Sequence, residues 1–167
     1  MAEVRWLDDG EARMWRGYLD STRLLMRALD RQLENDAQMS LSDFEALVQL
    51  SEAPGRRLRM SQLADAMTAT RSGVTRTVNR LAAEGWLVRA DCDEDGRGSY
   101  AELTEAGMDR LRAVAPGHVA AVRRHLFDLI SVRDVGLFAH AYEQIRDNLL
   151  DGRQVETTEK TTGREAR

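Results

Sequence analysis

The 167-residue chain holds a single cysteine, Cys92, and a single lysine, Lys160. One cysteine cannot build a disulfide framework. No run approaches the ~18 apolar residues expected of a membrane-spanning helix, so no membrane partner is expected. Residues 1–10 are acidic and lack an apolar centre, so they do not read as a secretory signal. No internal repeat stands out. There is no nucleophile–base arrangement and no glycine-rich phosphate loop, so neither an enzyme nor a cofactor is expected. These absences point to a cytoplasmic protein without catalytic chemistry.

What is present is an ordinary globular balance, with 43% hydrophobic and 31% charged residues. The net charge of −4 argues against a nucleic-acid partner until its distribution is read. Residues 1–50 carry 6 Arg against 10 acids, and residues 91–150 carry 7 against 11. Residues 51–90 reverse the sign, with 7 Arg against 3 acids. The last segment, 151–167, balances at 4 and 4. A polyanion needs a local basic face, not a basic chain.

Apolar periodicity places the elements. Trp15, Leu19, Met26, Leu29 and Leu33 share a helical face between about Glu11 and Leu33. Ser42 with Glu45 reads as a capping box for a second helix, with Phe44, Leu47 and Val48 inward. Pro54-Gly55 ends it. A third helix starts at Ser61 and carries Leu63, Ala64 and Met67. After a break at Thr68-Ala69, Thr70 caps a fourth helix with Val74, Val78 and Leu81 on one face. Gly85 suits its left-handed end. Residues 86–89 and 100–103 then read as two short strands around a polar loop, Asp91 to Ser99. Thr104 caps a long helix through Ile130 that Pro116-Gly117 should kink or break. Ser131 starts a last helix with Phe138, Tyr142, Ile145 and Leu149. From Asp151 the tail is polar and aperiodic and is expected to lack regular structure.

Two short helices joined by a tight break and followed by a hairpin make a winged helix-turn-helix. The fourth helix presents Arg71, Ser72, Thr75, Arg76, Asn79 and Arg80 opposite its apolar stripe. Arginine can pair bidentately with guanine, asparagine with adenine, and hydroxyls reach phosphates or bases. Of these, Arg71, Ser72, Thr75, Arg76 and Asn79 are the candidate groove contacts, joined by Ser61 and Thr70. Arg97 at the loop tip suits a narrow minor groove.

The stretch Ser61-Gln-Leu-Ala-Asp-Ala-Met, with Arg71-Ser-Gly-Val-Thr-Arg-Thr-Val-Asn-Arg-Leu after it, resembles the MarR family of bacterial regulators. So do Gly85-Trp-Leu-Val-Arg, Asp95-Gly-Arg-Gly98 and Leu103-Thr-Glu-Ala-Gly107. The resemblance runs from about Trp15 to Leu150. It implies a mainly α fold with a small β-hairpin wing, Asp95 supporting Arg97, and Gly96 where the family usually has a second wing arginine. It also implies a homodimer that represses transcription at a pseudo-palindromic operator on double-stranded DNA. A small anionic or aromatic effector would release it. The expected division is 1–41 for dimerisation, 42–103 for DNA binding, 104–150 for dimerisation, and 151–167 as tail. Trp15 and Arg16 are candidate effector contacts, with Trp15 in a dimer core as the competing reading.

Two other functions compete. Asp91, Asp93, Asp95, Ser99 and Glu102 fall at the ligand positions of an EF-hand calcium loop, with Gly96 at its sharp turn. Against this reading, Gly85 ends the preceding helix six residues too early, Gly98 replaces the usual aliphatic residue, and no second loop exists. The alternative to both is a helical protein-interaction adaptor. Beyond Arg89, Cys92 has no basic neighbour that would lower a thiol pKa, and it reads as inert. His118 and His125 read as helix-surface residues, since two histidines without a third ligand make a poor metal site.

Overall fold

A computed structural model describes the backbone of residues 4–91 and 99–165, and the side chains of residues 4–90 and 99–151. The chain forms two compact units, residues 1–122 and 123–167.

Helix α1 spans Asp9–Ala37. It starts earlier than its apolar pattern because Asp8 and Glu11 form a capping box, each carboxylate accepting from the other residue's amide at 2.8 and 2.9 Å. Helix α2 spans Leu41–Glu52, and its cap is Ser40, not Ser42. Both serines have an acid three residues on, so the sequence offers two boxes. The first is used because Asp43 is buried and its carboxylate also accepts from Arg80. Phe44 and Leu47 are buried as expected, and Val48 is half-buried.

After a 3₁₀ turn at Pro54–Arg56, strand β1 spans Arg57–Arg59. It was not expected, because Arg-Leu-Arg is too short and too charged to show a strand period. Helix α3 spans Met60–Ala66 and α4 spans Arg71–Ala83. Strands β2, Leu87–Asp91, and β3, Ser99–Leu103, form the hairpin. The sheet is antiparallel in the order β1-β3-β2, so the expected pair is three strands.

The core lies between α1, α2, α3, α4, the sheet and the helix that follows the sheet. Leu33, Leu47, Leu50, Leu63, Val74, Val78, Leu81 and Leu87 are all but sealed from solvent. Burying each such side chain contributes about 1.5–3 kcal/mol. Helix α5 spans Glu105–His125, opening on Thr104, whose hydroxyl accepts from the Gly107 amide at 3.0 Å. It runs on through Pro116 without a break. Val114 and Ala121 on either side are buried, and that packing outweighs the single hydrogen bond the proline removes. The helix ends at His125, short of the expected Ile130, and a 3₁₀ turn at Phe127–Leu129 follows.

In the second unit, Ser131 caps α6, accepting from the Asp134 amide at 3.2 Å. Helix α6 spans Val132–Glu165 and passes Leu150 into the segment expected to lack structure. No proline interrupts that segment, and helices stop where something terminates them.

Gly107 is where α5 approaches the hairpin. A Cβ there would overlap the Trp86 carbonyl and the Leu103 side chain. Gly107→Ala is expected to cost about 1–3 kcal/mol, seen as a lower denaturation midpoint. An unchanged midpoint would show that the two elements can part freely.

His118 is half-buried rather than fully exposed on the helix surface. Its ring packs on Phe44 with centroids 4.3 Å apart, and burial lowers its pKa from the usual 6.5. Below that usual value the unfolded chain takes up a proton that the folded state resists. The folded state is therefore favoured above about pH 6.5 and loses stability as the pH falls through the window beneath it. Lowering the pH from about 7.5 to about 5.5 should reduce the Tm more in wild type than in His118→Gln. Parallel profiles would remove His118 as the cause.

Candidate nucleic-acid interface

The turn between α3 and α4 sets the geometry. Helix α3 closes with Thr68 left-handed at φ 50°, while Thr68 and Ala69 amides donate to the Asp65 and Ala64 carbonyls. Thr70 then caps α4, its hydroxyl accepting from the Gly73 amide at 3.1 Å. The far end of α4 closes on Gly85, left-handed at φ 74°, with Gly85 and Trp86 donating to Ala82 and Leu81. Both ends are thus held by local hydrogen bonds that satisfy otherwise orphaned backbone groups.

Between these ends α4 buries Val74, Thr77, Val78 and Leu81. The remaining positions face outward: Arg71, Ser72, Arg76 and Asn79 are exposed and Thr75 is half-buried. Ser72 lies 3.3 Å from the Thr70 hydroxyl, and the Thr75 hydroxyl donates to the Arg71 carbonyl at 2.9 Å. The Asn79 carboxamide oxygen accepts from Arg89 of β2 at 3.1 Å, and Arg89 also donates to Ser99 at 3.1 Å. Arg89 was not among the expected site residues. It ties the outer face of α4 to the hairpin while keeping its charge, because both acceptors are neutral. Ser61 is exposed near the start of α3.

Arg80 does something different from its neighbours. Its Nε and terminal nitrogen donate to both oxygens of Asp43 at 2.5 to 3.0 Å. The hydrogen bond to Asp43 raises the Arg80 pKa, with a smaller opposing effect of burial. The guanidinium is half exposed, whereas the carboxylate is buried. Arg80 is therefore a bracket between α4 and the start of α2, not a free cation on the outer face. Among the seven arginines of residues 51–90, Arg56 is also neutralised, by Glu105 at 2.6 Å.

Arg97, Asp95 and Asp93 lie outside the described residues, as do Cys92, Gly96 and the side chain of Asp91. Glu102 lies within β3, exposed, paired with Val88 on one side and Arg57 on the other. The loop leaves and re-enters antiparallel strands, in register from Asp91 opposite Ser99. An EF-hand loop needs flanking helices, so the calcium reading does not hold. Trp15 and Arg16 lie on α1, both exposed, and Trp15 stacks on Tyr18 at 5.9 Å. No helix among the described residues is long and apolar enough to cross a membrane.

A helix with one face in the core and the other polar, preceded by a tight turn and followed by a hairpin, defines a winged helix-turn-helix protein. Residues 37–98 match the MarR family profile. The fold superimposes on a MarR family transcriptional regulator from Streptomyces coelicolor, Sco3205, solved in complex with DNA. The TM-score is 0.83 with 40% identity, covering 89% of this chain and 92% of that one. It also matches AbsC, a MarR family transcriptional regulator from the same organism, at TM-score 0.80 and 39% identity over 87% and 98%. The transcriptional repressor MprA of Escherichia coli is 33% identical over 101 residues. That match spans 57% of each protein, so this chain matches little more than half the length of MprA. The chain belongs to the MarR family of transcriptional regulators.

Arg80→Ala would leave the buried Asp43 without its cation. The solvated half of the guanidinium moderates the loss, which is expected at about 1–3 kcal/mol of folding stability. Urea denaturation measures it, and wild-type stability in the variant would show the bracket to be ornamental.

Proposed function

We propose that this protein is a sequence-specific regulator of transcription that binds double-stranded DNA, most simply as a repressor. The observation that carries the reading is α4, with Arg71, Ser72, Thr75, Arg76 and Asn79 outward over a sealed apolar stripe. Arg71 and Arg76 would address base edges and phosphates in the major groove, and Asn79, oriented by Arg89, an adenine or a phosphate. Thr70 and Ser61 would contact backbone phosphates. Arg97, supported by Asp95, would enter the flanking minor groove.

The protein is proposed to act in the cytoplasm as a homodimer on a pseudo-palindromic operator. Support comes from helices whose apolar residues stay in water. On α6, Phe138, Tyr142, Ile145 and Leu149 recur at helical spacing and are 46 to 61% exposed. Met14, Trp15, Leu24 and Met26 are similarly exposed on α1. Apolar stripes of this extent call for a partner. Segments 1–41 and 104–150 would dimerise, and 42–103 would bind DNA. A two-fold dimer places its recognition helices about one helical turn apart, which matches an inverted repeat. Trp15 and Arg16 would offer a ring and a cation to a small anionic or aromatic effector. Such an effector releases DNA only if it binds the non-binding geometry more tightly.

Arg76→Ala is expected to lose about 1–3 kcal/mol of specific affinity, measured by gel shift on an operator duplex with excess competitor DNA. Wild-type affinity would remove Arg76 from the interface. Sedimentation should give twice the 18.8 kDa chain mass, and a monomer at micromolar concentration would overturn the dimer.

A further inference from the structure

Strand alternation puts Leu58 of β1 toward the core and Arg57 and Arg59 on the outer face of the sheet, beside Tyr100 and Glu102 of β3. The register places Arg57 opposite Glu102 and Arg59 opposite Tyr100. The Arg57 head group does not lie with Glu102. It stacks over the Tyr100 ring at 4.1 Å, one pleat nearer the loop end of the hairpin. The Arg59 guanidinium lies 5.5 Å from the same ring and its Nε donates to the Tyr100 hydroxyl at 3.1 Å. One tyrosine thus gathers two arginine head groups beside the loop end of the hairpin, where β1 leads into α3 and the exposed Ser61.

Most of the other arginines of this basic segment have their hydrogen bonds taken or their charge neutralised. Arg56 is paired with Glu105 and Arg80 with Asp43. Arg57 is exposed, and among the described residues no carboxylate lies within ion-pair distance of it. The ring contact uses no hydrogen bond to an oxygen, so the Arg57 N–H groups stay available to an acceptor. A planar cation held this way loses little freedom on binding an oxyanion. Glu102 beside it is the only acid on this part of the outer face among the described residues.

We propose that Arg57, held with Arg59 by Tyr100, is a contact to the DNA phosphate backbone on the outer face of the wing sheet. It would extend the interface beyond the recognition helix without reading sequence. Tyr100 is a positioning residue in this arrangement. The proposal rests on the DNA-binding reading above.

The test uses full-length protein, an operator duplex obtained by random-site selection, and a scrambled duplex of equal length. Affinities are measured between about 50 and 200 mM salt for wild type, Arg57→Ala, Arg57→Lys and Tyr100→Phe. A lost phosphate contact lowers the slope of log affinity against log salt by about 0.9 for each protomer engaged. Arg57→Ala should therefore weaken both duplexes by a similar factor and flatten the slope by that amount, with operator preference kept. Across this salt range the variant's deficit should shrink about 3.5-fold per protomer, which is that slope taken over a fourfold change in salt. Arg57→Lys should keep the slope, and Tyr100→Phe, which retains the ring, should keep most of the affinity. If wild type binds and folded Arg57→Ala matches it in affinity and slope, the backbone contact is overturned while the regulator reading stands. If Arg57→Ala loses operator preference instead, Arg57 reads sequence and the proposal fails. Should wild type bind no duplex at all, the regulator reading falls and takes this one with it.

Discussion

A carboxylate taken out of water has to be paired, and Asp43 is the carboxylate around which this lobe is built. It is buried at the first turn of α2, where it closes a capping box with Ser40. The same carboxylate accepts from the guanidinium of Arg80 near the end of α4. The start of one helix and the end of another therefore share one charge. Turning α4 about its axis would strand that charge, and it would also lift Val74, Val78 and Leu81 from the core. Those two penalties hold the outward face of α4 in one orientation. A winged helix-turn-helix lobe depends on such a fixed face, because a groove is read only by side chains whose direction is settled beforehand.

Charge follows the same logic. The chain is acidic overall, yet its central segment is basic. The fold sorts those central arginines by task. Arg56 and Arg80 are neutralised in ion pairs that brace the lobe. Arg89 bridges α4 and the hairpin through neutral acceptors. Arg71 and Arg76 stay on the outer face of α4, and Arg57 and Arg59 gather on Tyr100. A count of arginines identifies a basic segment, but only partners distinguish a brace from a free cation.

Much of the lobe was legible because its signals are local. Thr70 as a cap, Gly85 as a left-handed end, and the 74, 78, 81 stripe each depend on residues within a turn or two of one another. Features that depend on distant residues leave no such local signal. Strand β1 exists because β3 offers it a ladder 41 to 45 residues away in the chain, and three residues of Arg-Leu-Arg carry no period of their own. Ser40 prevails over Ser42 because Arg80 selects Asp43 from across the lobe. His118 is half-buried because Phe44 of α2, more than 70 residues earlier, packs on its ring.

Where most helices and turns begin, which face of α4 is apolar, and that the basic charge is central can all be read from the linear chain. Each of these follows from hydrogen bonds and periodicity within a few residues, which a linear reading contains. Which arginines pair with Asp43 and Glu105, that the sheet has a third strand, and that Tyr100 collects two guanidinium groups emerge only once the chain is folded. Those outcomes depend on which side chains meet across the fold, and burial settles the ion pairs among them by making an unpaired buried charge too costly to keep.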